Sequence, residues 1–87
     1  MTNSEIILKL VNEFLEKTQI TKEQLDTDLS TLGLNSIKFI QLIIALEEEF
    51  ECEIPDDKLV LSAMNTTTKI IQVINSLVAQ EKYKKVL

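Results

Sequence analysis

The sequence predicts an all-α fold: a small four-helix bundle with three main helices, one short third helix and a long ordered first loop. Apolar residues recur at helical spacing through most of the 87 residues. The chain has one Gly, one Pro and no Trp, which argues against a turn-rich β fold, because such folds need many turn residues and aromatic strand fillers. Its length fits a single domain over residues 1–87.

The first helix is predicted over roughly residues 3–16. Thr2 and Glu5 have the spacing of a capping box, in which the Thr side chain faces the backbone and the Glu side chain reaches back. The apolar residues that follow repeat along one helical face: Ile6, Ile7, Leu10, Val11, Phe14 and Leu15.

The segment over residues 17–35 has no sustained apolar period and predicts a long loop. One helical turn is predicted within it, at residues 21–24. Loops of this length are uncommon in compact domains. We expect this one to be ordered because spaced leucines anchor it to the core: Leu25, Leu29, Leu32 and Leu34.

A second helix is predicted from Ser36 to about Phe50, with a buried face made of Phe39, Ile40, Ile43, Leu46 and Phe50. Ile37 and Ile44 lie seven residues apart, off the centre of that face and beside the acidic Glu47 and Glu48. Such a pair suits a helix that docks on a partner. Simple burial of both isoleucines in a small bundle is an alternative that the sequence leaves open.

Pro55 prevents the second helix from continuing through that point. A short third helix is predicted from Asp56 to Leu61. The last helix is predicted to begin near the threonines at 66–68, which are good N-cap residues. It runs through a set of regularly spaced apolar residues: Ile70, Ile71, Val73, Ile74, Leu77 and Val78.

The composition excludes several classes of function. The chain has no His, so Ser–His triads and His-ligated metals are excluded, and we assign no metal and no catalytic residue. The lone Cys52 cannot form an internal disulfide. Neither a secretory signal nor an apolar run of membrane-spanning length is present, so the expected location is the cytoplasm.

The charge distribution indicates which partners the chain binds. The formal net charge is −5 and there is no Arg, so nucleic acid is a poor partner. Acidic residues crowd into residues 47–57, where they steer positively charged protein surfaces toward the chain. We expect a monomer that binds proteins and neither membranes nor nucleic acid.

Ser36 follows a Gly-containing bend and stands at the start of the second helix. One interpretation is that Ser36 or Asn35 is only an N-cap, as most Ser at helix starts are. The other is that the hydroxyl is the attachment point of a phosphate-bearing group, which the helix N-terminus stabilises. Since the chain has no His to act as a base, a separate enzyme has to activate the serine.

Residues 26–57 resemble the core of the acyl carrier protein family, which includes the peptidyl carrier proteins of nonribosomal synthesis. The resemblance is carried by the run DTDLSTLGLNSIKFIQLIIALEEEFECEIPDD. Its elements are a Leu-Gly turn before the Ser, a helix that ends in LEEEF, and a following E-I-P-D. The first helix, the long loop and the start of the last helix, TTTKIIQVI, also match the family layout.

This resemblance implies that Ser36 is the attachment serine for 4′-phosphopantetheine. It implies as partners a phosphopantetheinyl transferase, an acyl- or aminoacyl-loading enzyme and a downstream synthase or transferase. The arm then holds acyl or aminoacyl groups as thioesters, and the protein itself is a carrier and not an enzyme. The positions that match the family's partner-docking helix are Ile37, Ile44, Glu47 and Glu48.

Asn35, Lys38 and Gln41 depart from the acidic pattern that fatty-acid carriers resembling this chain usually have. The departures favour a discrete carrier of a specialised polyketide, nonribosomal peptide or related pathway over a housekeeping carrier of fatty-acid synthesis, which is the near alternative. The alternative from another class is an acidic helical adaptor that is never modified. It accounts for the charge and the helices, but not for the whole carrier signature around one serine.

Overall fold

The structure, a computed structural model, describes residues 2–15 and 18–86. Over these ranges the chain forms three α-helices and no strand: α1 (Asn3–Glu13), α2 (Ser36–Phe50) and α3 (Thr67–Val86). The predicted all-α fold is confirmed as a small helical bundle, and α2 has the predicted bounds. In the same ranges, no helix combines the length and the apolar character needed to cross a bilayer.

α1 begins with the predicted capping box. The Glu5 N–H donates to the Thr2 hydroxyl, and the Glu5 carboxylate accepts the Thr2 N–H, both at 3.2 Å. The helix ends at Glu13, earlier than the predicted residue 16, which lies outside the described residues. The side-chain amide of Asn12 accounts for the early end, since it exchanges two hydrogen bonds with the main chain of Ile20, at 3.0 and 2.9 Å.

The connection from α1 to α2 contains the predicted turn as a 3-10 helix, Lys22–Gln24, capped by Thr21. A second 3-10 helix, Leu29–Leu32, was not predicted from the sequence. The predicted anchoring is confirmed by the burial of the leucines, fully for Leu29 and Leu34 and in part for the other two. From residue 18 onward, the connection is therefore ordered by its apolar contacts with the core.

The predicted short third helix is absent. Its segment forms two 3-10 helices, Asp56–Lys58 and Leu61–Ala63. The backbone leaves the helical region after the first of them, at Leu59 (φ −83°, ψ 41°), and again after the second, at Met64 (φ −136°, ψ 38°). The described part of the chain is thus a bundle of three α-helices joined by 3-10 connections.

α3 begins at Thr67, within the predicted group of threonines. The Thr66 hydroxyl accepts the Lys69 N–H at 3.2 Å, which satisfies one of the first amides of the helix. Thr67 itself is fully buried, and its hydroxyl lacks a hydrogen-bond partner.

The core lies where α1 packs against both α2 and α3. α2 contributes Phe39, Leu42, Ile43 and Leu46 to it. The prediction that Ile40 belongs to the buried face is wrong, since 49 % of this residue is exposed. The other buried apolar residues come from all parts of the bundle: Ile7, Val11, Leu15, Ile20, Leu29, Leu34, Cys52, Ile54, Met64, Ile70 and Ile74.

Candidate functional site

The backbone turns sharply just before α2. Gly33 has the left-handed conformation (φ 102°), which a residue with a Cβ adopts only at a cost. Its N–H and the N–H of Leu34 both donate to the carbonyl of Leu29. Since Leu34 is buried directly after the turn, the chain is anchored there and emerges at the surface with Asn35 and Ser36.

Asn35 is the N-cap of α2. Its backbone is extended, and its side-chain Oδ1 accepts the Lys38 N–H at 2.9 Å. Ser36 is therefore the first residue of the helix and does not cap it. The capping role therefore belongs to Asn35, and Ser36 is an exposed residue that does not cap the helix.

The surroundings of Ser36 fit a phosphate-bearing group. The first amides of an α-helix have no acceptor within the helix, and Asn35 satisfies only that of Lys38. The amides of Ser36 and Ile37 remain, at the positive end of the helix dipole. The first turn of α2 carries no acidic side chain that would repel a phosphate. Such an end of a helix stabilises negative charge.

An apolar stripe lies along the exposed side of α2. It consists of Ile37, Ile40 and Ile44, which are 72 %, 49 % and 50 % exposed. Burial of Ile37 and Ile44, the alternative left open by the sequence, does not occur. Ile40 was missed because it was counted on the buried face, although the spacing 37, 40 and 44 places all three residues on one side of a helix.

Glu47 and Glu48 differ in their environments. The Glu48 side chain is exposed. Glu47 is half-buried, and its Oε2 accepts the N–H of the buried Ile54 at 2.9 Å. The Glu47 carbonyl also accepts the Cys52 N–H, at 3.2 Å. Glu47 thus fastens the end of α2 to the segment that follows it, which sequence reasoning did not anticipate.

A comparison with protein families gives a match over most of the chain. The family model described as phosphopantetheine attachment site matches residues 7–74. This range contains α2 with both of its ends, the exposed Ser36 and the first turn of α3.

Proposed function

The chain belongs to the family of acyl and peptidyl carrier proteins, which bear a covalently attached 4′-phosphopantetheine on a serine, and on this premise we propose that its attachment serine is Ser36. The observation that carries the proposal is the exposed hydroxyl at the first position of α2, next to the unpaired amides of the helix N-terminus. Carrier domains of this kind are generally not catalytic themselves.

The other serines within the matched residues 7–74 lack this environment. The Ser30 hydroxyl donates to the Asp28 carboxylate at 2.7 Å. Ser62 lies inside the 3-10 helix Leu61–Ala63, which is too short to have the dipole of α2. Of the three, Ser36 alone starts an α-helix, where a phosphodiester is electrostatically stabilised.

The loading reaction is a transfer of phosphopantetheine from coenzyme A. The Ser36 Oγ forms a bond to the phosphorus next to the pantetheine, the pyrophosphate bond breaks, and adenosine 3′,5′-bisphosphate leaves. The chain has no His to take up the serine proton, so the base belongs to the transferase. When bound, the group supplies a thiol that carries acyl groups as thioesters. The residues of this chain present the hydroxyl and stabilise the phosphate charge.

The test is the intact mass of the purified chain after incubation with coenzyme A and a broad-specificity phosphopantetheinyl transferase. We expect the wild type and the matched control Ser62→Ala to gain one phosphopantetheine, and Ser36→Ala to gain none. A Ser36→Ala variant that is loaded like the control would overturn the assignment. A wild type that stays unmodified would favour the unmodified acidic adaptor instead.

We further propose that loading and processing enzymes dock on α2 beside Ser36. The docking residues taken from the family resemblance are Ile37, Ile44, Glu47 and Glu48, and their exposure supports a role for all of them except Glu47. Ile40 extends the apolar contact. Exposed pairs of opposite charge are weak and sensitive to salt, which suits a carrier that visits several enzymes and leaves them.

The docking proposal is tested with Glu48→Lys, because this side chain is exposed and its replacement leaves the fold intact. We expect slower acyl transfer at unchanged helix content. Glu13→Lys, at an exposed acid on the last turn of α1, is the control with the same change in charge. Equal transfer rates for the two variants would contradict docking through Glu48.

The cognate pathway is proposed to be a specialised one, of the polyketide, nonribosomal peptide or a related type. Asn35 supports this proposal because it provides the cap of α2 without the negative charge that the resembling fatty-acid carriers have before the serine. Asn35→Asp retains a capping oxygen, and we expect it to improve loading by fatty-acid enzymes. If Asn35→Asp is loaded by fatty-acid enzymes no better than the wild type, Asn35 gives no reason to prefer a specialised pathway over housekeeping fatty-acid synthesis.

A further inference from the structure

The exposed side of α2 carries two kinds of surface, one after the other along the helix axis. The apolar stripe, Ile37, Ile40 and Ile44, occupies the part next to Ser36. At about 100° per residue, Glu48 lies in line with Ile37 and Ile44, and its side chain is exposed. The side of α2 that solvent reaches is therefore apolar near Ser36 and acidic at its far end.

The charges of α2 are separated in the same way. Residues 36–46 contain Lys38 as their one charged residue, whereas residues 47–53 contain five Glu and no cation. Gln41, which is exposed within the apolar stripe, is uncharged. The helix dipole adds to this separation, because its N-terminus is positive and its C-terminus is negative. The electrostatic potential therefore changes from positive to negative along the length of α2.

A surface that complements α2 has the opposite arrangement. Apolar side chains of the partner gain contact with the stripe, and basic side chains gain attraction only where they meet Glu48. A basic side chain opposite the stripe would lose water and find no acid to pair with, which costs free energy. The distance from Ser36 to Glu48 along the axis is about 18 Å, at about 1.5 Å per residue.

We propose that α2 docks on enzymes, the transferase included, whose surface is apolar beside the active-site entrance and basic only opposite Glu48. The apolar part receives Ile37, Ile40 and Ile44. This inference rests on the proposed function, because it takes Ser36 to be the residue that the active site reaches. Attraction at the acidic end orients the encounter, and contact with the apolar stripe determines how long the complex lasts.

A second copy of the chain is a less suitable occupant of the apolar stripe. A stable interface buries roughly 800 Å² on each partner, and three partly exposed isoleucines provide only a small part of such an area. The formal net charge of −5 also makes two copies repel each other. The small apolar area suits an enzyme complex that forms and dissociates repeatedly.

The test is the binding of the unmodified chain to a broad-specificity phosphopantetheinyl transferase, without coenzyme A, at several salt concentrations. Gln41→Glu is the decisive variant because it places an acid within the apolar stripe. We expect its dissociation constant to rise about ten-fold and to stay raised at high salt, since no basic side chain lies opposite. Gln72→Glu, at an exposed position of α3, is the control with the same change in charge. Equal affinities of the two variants, or tighter binding by Gln41→Glu, would overturn the proposal.

Two further variants separate orientation from retention. Glu48→Gln should slow association about two-fold at low salt and behave like the wild type at high salt. Ile44→Ala should raise the dissociation rate about ten-fold at every salt concentration. Its matched control is Val60→Ala, because Val60 is also 50 % exposed but lies outside α2. An effect of Ile44→Ala that disappears at high salt, or one of Glu48→Gln that persists there, would contradict the proposed division of roles.

These binding measurements need no modification of Ser36. If the variants bind in the expected order while the wild type is never loaded, the docking surface stands and the attachment at Ser36 fails. If the wild type is loaded and all variants bind alike, the attachment stands and the docking surface is refuted. Sedimentation of the chain alone examines the other occupant: a dimer that dissociates in Ile44→Ala would show that a second copy covers the apolar stripe, and would overturn the proposal.

Discussion

Replacement of Glu47 by Ala tests whether this acidic residue stabilises the fold, as distinct from contacting partner enzymes. The Glu47 carboxylate accepts the Ile54 N–H at 2.9 Å, and Ile54 is only 4 % exposed. Without the carboxylate, this amide is buried with no acceptor, which costs about 1–3 kcal/mol of the free energy of unfolding. For a domain of this size, a loss of about 2 kcal/mol lowers Tm by roughly 8–16 °C.

The matched variant is Glu48→Ala, one position further along the same helix. The Glu48 side chain is exposed, so its removal should change the stability by less than about 0.5 kcal/mol. Glu47→Gln keeps a side-chain oxygen that can accept the Ile54 N–H and loses only the assistance of the charge. Its stability should lie between those of the wild type and Glu47→Ala.

Thermal and urea denaturation followed by circular dichroism measure these differences, and hydrogen exchange at the Ile54 amide locates them. Exchange at this amide should accelerate in Glu47→Ala and remain slow in Glu48→Ala. Equal Tm values for the two Ala variants would refute the reasoning, because they would show that the carboxylate contributes nothing to the fold. In that case, Glu47 would be as available to partners as Glu48.

Three further outcomes are expected. Ile43→Ala should lower the free energy of unfolding by about 2–5 kcal/mol because Ile43 is buried, whereas Ile40→Ala should change it by no more than about 0.5 kcal/mol. Similar losses for the two variants in urea denaturation would contradict the assignment of Ile43 to the buried face of α2 and of Ile40 to the exposed one. Thr67→Val should raise the stability by about 1 kcal/mol, since it replaces a buried hydroxyl that lacks a partner; a lower Tm would show that the hydroxyl is bonded. Because hydrogen bonds from Ser30 lower the pKa of Asp28, this carboxylate stabilises the fold above its ordinary pKa of about 4 and less as the pH falls below it. The free energy of unfolding should therefore vary less with pH in Asp28→Asn than in the wild type. Parallel curves for the two proteins would show that the Asp28 carboxylate makes no such contribution.

The features that were predicted correctly depend on neighbours in the sequence. The capping box of Thr2 and Glu5, the bend at Gly33 and the start of α2 all follow from residues within a short stretch of sequence. Pro55 likewise prevents the helix from extending by its own geometry. Local chemistry of this kind is readable from one sequence, and it made the turn before Ser36 recognisable.

The features that were missed depend on the packing of distant segments. Ile40 and Leu42 are both compatible with a buried helical face, and although the spacing of 37, 40 and 44 groups Ile40 with the other exposed isoleucines, the packing of the bundle decides that this side is exposed and that Leu42 is buried. The hydrogen bond from the Ile54 N–H to Glu47 requires the chain to fold back after α2. An acid in a run of acids gives no signal for such a role.

The end of α1 and the segment after Pro55 show a third kind of limit. Asn12 binds the main chain of Ile20, so the helix stops although the apolar spacing continues through Leu15. After Pro55, the residues have adequate helical propensity, but they form only two single 3-10 turns before α3 begins. In both places the tertiary structure overrides the local preference.

α2 is closed at both ends, by the extended Asn35 and by Glu51, which has a positive φ of 50°. Its 15 residues therefore form a rigid helix of fixed length, roughly 20 Å at about 1.5 Å per residue. An enzyme that contacts its far end while acting near Ser36 has to match this spacing in both distance and angle. One inserted residue would rotate everything beyond it by about 100°, so a visiting enzyme could align with the proposed attachment point at Ser36 or with the acidic end, but not with both at once.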